Sequence, residues 1–412
     1  MNTEEGIISE QTRAFAWTHR HDDVRRLALT TRQEGLDLTA ALTQIEGRRK
    51  AMEKIPSWAD REDIVFPPQL SMEQCSSELT ALYKLHLVRS LSSAAGEELE
   101  DFTDLTGGLG IDCAFIAKAF GKATYVERQA HLCALARHNF KALGLTHTEV
   151  CGEDTETHLN AMPHCQWIYL DPARRSNAGG KVAAIRDCEP NLLEMRERLM
   201  EKAARVLVKL SPMLDIRKAV EELRHVSEVH VVAVDNECKE LLFILEKTAG
   251  DKPLSVTCAD LSLRRQEPRL FTFCEQDEKM PCRLASDLRS YLYEPNASLL
   301  KAGAYKSVAN RWNLEKLHPN SHLYTADTLQ ADFHGRIFEV EACSSFGKKD
   351  LKALLQGIDK ANLTVRNFPQ SVSDLRKRLK LKEGGEHYFF ATTLHDGKKV
   401  LVRCKPVKIG QQ

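Results

Sequence analysis

Between residues 101 and 247 the chain alternates short apolar, β-rich runs with helical stretches, and this alternation constrains its fold more than any other feature. The runs fall at 102–105, 123–127, 148–151, 167–170, 205–209, 229–234 and 241–246. Helical segments such as 129–143 and 191–204 separate most of them. Strands that alternate with helices lie parallel, because each helix carries the chain back to the start of the sheet and covers one of its faces. Only a short link, 235–240, joins the last two runs, so that pair is expected to be antiparallel. The reading is an open, seven-stranded α/β sheet.

The flanks read differently. Leu38, Ala41, Leu42 and Ile45 recur at helical spacing, and so do Leu79, Leu82, Tyr83, His86 and Leu87 within a helical stretch at 73–95. Pro56, Pro67 and Pro68 mark 55–70 as linker or irregular loop. Past residue 250, runs at 254–258 and 270–274 suggest a hairpin. The C-terminal eighty residues read β (336–342), α (348–355), β (361–366), α (371–381), β (388–393), β (399–405). Four segments are expected: a helical region at 1–95, a ligand-binding α/β domain at 96–250, a β-extension with a connecting small domain at 251–330, and a basic α+β domain at 331–412.

Composition excludes several classes. Apolar residues make up 42% of 412, enough for a sizeable core. No apolar run approaches the length of a spanning helix, and the M-N-T-E-E-G start has no apolar stretch of a secretory signal. Twelve cysteines are scattered with no C-x-x-C, so neither a zinc site nor a disulfide framework is expected. Free thiols suit a reducing compartment, and a cytoplasmic protein is expected. Net charge is zero, but from residue 348 onward fifteen Lys/Arg face six Asp/Glu, leaving 1–347 at −9. Arg376, Lys377, Arg378, Lys380 and Lys382 form the densest run. Such a module suits a polyanion such as RNA, the alternative being a solvated helix face.

The sharpest motif is D-L-T-G-G-L-G-I-D at 104–112, which closes the first strand and opens a helix. In doubly wound sheets, nucleotide-like ligands lie there. Gly108 and Gly110 permit a tight turn and close approach to a ligand. Glu127, ending the second strand, can accept hydrogen bonds from two ribose hydroxyls. Asp154, after the third, is placed to meet an adenine edge. A dinucleotide fingerprint fails, because its third glycine position is Cys113. Asp104 and Asp112 flank the loop, and carboxylates suit the ammonium and sulfonium of S-adenosylmethionine better than a pyrophosphate.

These residues resemble the first motif of class I S-adenosylmethionine-dependent methyltransferases, in the D-x-x-x-G-x-G form of RNA-modifying members. Thr106 stands where the commonest version has glycine. Glu127 matches the family's ribose-binding acid and Asp154 its adenine-contacting acid. The whole chain resembles bacterial members with a C-terminal THUMP-like domain, through E-P-N-A-S-L-L-K-A-G-A-Y at 294–305 and the terminal β-α-β-α-β-β unit. The resemblance implies a seven-stranded, Rossmann-like core with a helical N-terminal region and a C-terminal ferredoxin-like/THUMP-like module. It also implies S-adenosyl-L-methionine as methyl donor and an RNA substrate, tRNA or rRNA, because THUMP modules bind RNA.

After the fourth run, D-P-A-R-R at 171–175 sits where the family places N/D-P-P-Y/F/W. A carboxylate at Asp171 and the carbonyl beside Pro172 could accept two N–H bonds of an exocyclic amine during in-line transfer, which positioning and electrostatics accelerate. Ala173 replaces the second proline, and Arg174 replaces the stacking aromatic. Arginine also stacks on bases and pairs with phosphate, so Arg174 joins Asp171 and Pro172 as an acceptor-site candidate; salt bridging is the alternative for Arg174 and Arg175. Lys209 and Ser211, in K-L-S-P after the fifth run, form either a substrate-pocket wall or a proline-set turn. Gln74 and 76–78 lie where members of the family cap the donor's methionine end. Three readings stand: an RNA base methyltransferase, a donor-binding RNA protein without turnover, and a methyltransferase of a protein or small molecule.

Overall fold

The computed structural model describes residues 8–67, 72–73, 75–174, 184–247, 249 and 253–408; the Arg174 side chain, Gln74 and Arg175 lie outside what is described. Two compact units divide the chain. The first comprises 1–229, 240–252 and 261–264; the second comprises 230–239, 253–260 and 265–412.

In the first unit, helices among the described residues come before the first strand: α1 (Glu10–Thr18), α2 (Val24–Thr30), α3 (Leu38–Lys54), α4 (Pro56–Ala59) and α5 (Glu78–Ala94). Ser9, Asp23, Asp37 and Ser77 cap α1, α2, α3 and α5 by accepting backbone N–H bonds that helix starts leave unpaired. Ala16, Leu27, Ala41 and Ile45 make a small core among the first three. The proline-rich stretch after α3 stays ordered because side chains satisfy its backbone. Arg48 donates to the carbonyls of Ala59 and Arg61, both at 2.6 Å, and Gln44 pairs with both backbone groups of Phe66 at 2.8 Å. Asn139 does the same for Val65. On α5, Tyr83 and Leu87 are buried as the spacing requires, while Leu82 is exposed and Lys84 is fully buried.

The sheet follows as β1 (Asp101–Asp104), α6 (Ile111–Ile116), β2 (Lys122–Val126), α7 (Ala130–Ala142), β3 (Thr148–Cys151), α8 (Thr155–Ala161) and β4 (Cys165–Leu170). Two-residue strands β5 (Ala173–Arg174) and β6 (Cys188–Glu189) pair with each other outside it. Then come α9 (Leu192–Lys202), β7 (Ala203–Leu210), α10 (Ile216–Leu223), β8 (Val226–Val234) and β9 (Glu237–Glu246). Strand order is β3-β2-β1-β4-β7-β9-β8, and two later strands continue from β8 to bring the sheet to nine. β1, β2, β3, β4 and β7 pair in parallel, and β9 runs antiparallel to β7. Asp235 and Asn236, both at positive φ (47° and 66°), make the tight turn between β8 and β9. The core is Phe102, Tyr125, Trp167, Ile168, Val206, Phe243 and their neighbours.

The second unit holds the expected hairpin, β10 (Ser255–Leu261) with β11 (Arg269–Cys274), paired antiparallel. After α11 (Glu275–Lys279) come β12 (Tyr291–Pro295), α12 (Ala297–Ala302), α13 (Lys306–Arg311), β13 (Glu315–Lys316) and β14 (Tyr324–Ala326). Then follow β15 (Gly335–Ser345), α14 (Lys348–Leu354), β16 (Lys360–Arg366), α15 (Val372–Leu379), β17 (Lys382–Thr393) and β18 (Lys399–Pro406). One sheet orders them β13-β14-β12-β15-β18-β17-β16. The 294–305 motif is structural here. Buried Glu294 pairs with Arg336 and Arg366, Asn296 caps α12, and Gly303 ends it at φ 78°. Leu354, Leu375 and Leu379 of the module's two helices pack on Leu363, Phe389 and Leu401. Among the described residues, no helix is long and apolar enough to cross a membrane.

Candidate active site

The C-terminal ends of parallel strands β1, β2, β3, β4 and β7 open onto one cleft of roughly 1110 Å³. Asp104, Thr106, Gly108, Gly110, Glu127, Asp154, Asp171 and Lys209 all line it. The turn after β1 is forced by contact as much as by conformation. A Cβ on Gly107 would lie 2.2 Å from the Tyr125 ring, and Gly108 and Gly110 sit at φ 53° and 73°. Tyr125 then donates its hydroxyl to the Gly108 carbonyl at 2.6 Å. Glu127 accepts the Gly108 N–H at 3.1 Å and the Gln129 N–H at 2.9 Å, so its carboxylate is held beside the glycine loop. Thr106 accepts the backbone N–H of Asp171 at 2.6 Å, tying the loop to the end of β4.

Asp104 is 1% exposed and accepts the Thr106 N–H at 2.9 Å. Burial pushes its carboxyl well above the usual value, and the nearby Asp112, Asp171 and Glu127 add to the rise. Asp154 does not hang free over the cleft. It caps α8, taking the Thr157 N–H at 2.9 Å and the Thr157 hydroxyl at 2.5 Å, which holds its pKa low. Pro172 is buried without lining the cleft, and exposed Ser211 accepts the Met213 N–H at 3.3 Å, also outside the lining. The five basic residues 376–382 belong to the other unit. There Lys377, Arg378, Lys380 and Lys382 are exposed, whereas Arg376 is half-buried and donates to the Ala361 carbonyl at 3.0 Å.

A buried ionic cluster closes one side of the cleft. Lys209 donates to Asp171 and, at 3.2 Å, to Ser76, and lies 3.9 Å from Asp112. Asp112 also accepts from Ser76 at 2.7 Å and Tyr169 at 2.6 Å. Lys84, fully buried, reaches Asp112 at 3.1 Å and Glu240 at 2.7 Å. Burial alone would raise Asp112, but Lys84, Lys209 and the two hydroxyls hold it below the usual range. For Glu240 burial wins over Lys84 and lifts the pKa. Burial opposes the Lys209 charge, yet Asp171, Asp112 and Glu240 outweigh it and raise its pKa. Sequence reasoning singled out Asp112, Lys209 and Ser76 but missed Lys84, Tyr169 and Glu240. Lys84 offered one signal, a lysine inside an apolar helical face; Glu240 offered none. Separately, Cys151, Glu153 and His158 bring their sulfur, carboxylate and Nδ1 within 4.8 Å of one another, a grouping able to hold a metal ion, with Glu153 and His158 already bonded at 2.8 Å.

Comparison with known proteins places this architecture. Residues 291–333 match a ferredoxin-like domain family, and residues 335–406 match a THUMP domain-like family. No curated protein matches the chain. The crystal structure of a methyltransferase candidate from Porphyromonas gingivalis W83 is 34% identical over 98% of this chain and 100% of its own, with a TM-score of 0.84. An rRNA methylase from Streptococcus thermophilus is 16% identical over 40% of this chain and 96% of its own, at a TM-score of 0.31. A class I S-adenosylmethionine-dependent methyltransferase candidate from Listeria monocytogenes is 9% identical over 61% and 94%, at 0.38. The Porphyromonas gingivalis protein is alike along the whole chain. End-to-end likeness to it, with the sheet order and the two C-terminal matches, leads to one assignment: the chain belongs to the family of class I methyltransferase-fold proteins with a C-terminal THUMP-like domain.

Proposed function

We propose that this protein is an S-adenosylmethionine-dependent methyltransferase acting on RNA. The observation that carries the reading is the acidic glycine loop: Asp104 buried at its start, and Glu127 bonded to the Gly108 N–H at 3.1 Å. A cleft lined this way suits a cationic nucleoside and repels a pyrophosphate. Glu127 would accept from ribose hydroxyls, while Asp104 and Asp112 would face the donor's positive charges. When bound, the donor supplies an electrophilic methyl on sulfonium. The chain's own part is to orient the acceptor at Asp171, hold that residue's backbone through Thr106 and its carboxylate through Lys209, and move a proton there. The THUMP domain-like match and the exposed basic helix favour RNA over a protein or small molecule.

The test has two steps. Calorimetry with S-adenosylmethionine should show one site per chain. Tritiated donor incubated with total RNA from cells lacking the gene should label RNA in a protein-dependent way. Absence of donor binding sinks the reading; binding without any labelled product makes the chain a donor-binding RNA protein instead.

A further inference from the structure

We infer that the acceptor is a ribose 2′-hydroxyl of RNA, and that Lys209 and Asp171 activate it; the inference rests on the donor reading above. An exocyclic amine is best served by a carboxylate with no cation on it. Asp171 carries one: its Oδ2 accepts from the Lys209 ammonium, leaving one oxygen open. An amine nitrogen also gains positive charge as it takes the methyl group, so a fixed cation beside its acceptor opposes the reaction. A hydroxyl oxygen behaves in the opposite sense. It sheds its proton as the new bond forms, and a cation beside it stabilises the negative charge that builds up.

The cation is fixed. Lys209 is anchored by Ser76 at 3.2 Å and lies 3.9 Å from Asp112, on the wall that also presents Asp171. Asp112 is not left to neutralise Lys209 alone, because buried Lys84 binds it at 3.1 Å and is itself bound by Glu240 at 2.7 Å. The lining of the cleft points the same way. Among its described residues it has no Phe or Trp, Tyr169 is 1% exposed with its hydroxyl committed to Asp112, and the exposed ring of His131 belongs to α7 after β2, so the described end of β4 that carries Asp171 offers a base no aromatic platform. A sugar target needs none.

The step balances as a single displacement. The hydroxyl oxygen bonds the methyl carbon, the carbon–sulfur bond breaks with its pair staying on sulfur, and the hydroxyl proton passes to an Asp171 oxygen. Lys209 donates to the oxygen throughout and stays protonated.

A 2′-O-methyl group blocks alkaline cleavage of the adjoining phosphodiester, which gives a direct readout. Total RNA from cells lacking the gene is labelled with tritiated donor and protein, then digested with alkali. Label in alkali-stable dinucleotides is the expected result. Label in mononucleotides means a methylated base; it overturns the inference and leaves the methyltransferase reading standing. No label despite donor binding overturns both. In parallel, Lys209→Met should lower incorporation about 100-fold, with donor affinity by calorimetry nearly unchanged and melting showing that the variant folds. Lys209→Arg, which keeps the charge, should recover part of the rate. Full incorporation by Lys209→Met overturns the role of Lys209, and the alkaline digest of wild-type product needs no variant.

Discussion

Glu127 carries two backbone hydrogen bonds on a carboxylate that also faces the cleft, so its side chain is pre-set before any ligand arrives. Replacing it by alanine should weaken donor binding by about 1.5–3 kcal/mol, the worth of hydrogen bonds to a charged group. Calorimetry should record that loss, and melting should fall as well, because the Gly108 and Gln129 N–H groups lose their acceptor. Asp104 makes the opposite trade. Its folded-state pKa lies above the ordinary 3.8, chiefly through burial, so the native chain binds that proton more tightly than the unfolded one. Stability from this group is full below the unfolded value and is lost as pH rises through the folded value. Asp104→Asn should therefore melt higher than wild type near neutral pH, with the gap closing towards pH 3.8, while binding the cationic donor more weakly. Melting curves across pH, paired with calorimetry, check both halves. Asp104 and Glu127 were legible because strand ends and a glycine turn fix where they stand. Lys84 and Glu240 were not, because their partners lie far off in sequence and only folding brings them together.

At the scale of elements, the turn after β1 depends on Gly107 as much as on the two glycines with positive φ. Gly107→Ala places a methyl against the Tyr125 ring, and overpacking of that kind costs about 1–3 kcal/mol. Denaturant melts should show the loss, and donor affinity should fall with it because Gly108 moves. The strands themselves were legible from their apolar cores: 148–151 matches β3 at both ends, the runs for β1 and β2 are displaced by one residue, and those for β4, β7, β8 and β9 start two to four residues late. β9 starts at Glu237 rather than 241, because polar residues at its start hide the pattern. The 55–70 stretch reads as irregular from its prolines, and its described part, 55–67, is so apart from the one-turn α4; 68–70 lie outside the described residues. What the sequence could not show is that Gln44, Arg48 and Asn139 satisfy its backbone groups from other elements.

For the whole molecule, charge is the readable variable. Five of the fifteen basic residues from 348 onward lie on one helix and its flank, and the exposed members of that run are Lys377, Arg378, Lys380 and Lys382. Reversing all four to glutamate should weaken RNA binding and flatten its salt dependence by about 0.7 log unit per lost single-strand phosphate contact. Donor affinity should not move, since the donor cleft lies wholly in the other unit. Filter binding across a salt series gives the slope, and an unchanged slope would assign the patch to solvent.

Thr106 occupies the place where the commonest form of the loop has glycine, and its hydroxyl grips the main chain at Asp171. Glycine could not make that link. A single oxygen thus couples the two halves of the reaction centre, so a change in the loop's posture on loading is felt at once by the carboxylate opposite. On the function proposed above, that favours an obligatory order, in which the methyl source seats first and the polynucleotide meets a site already aligned.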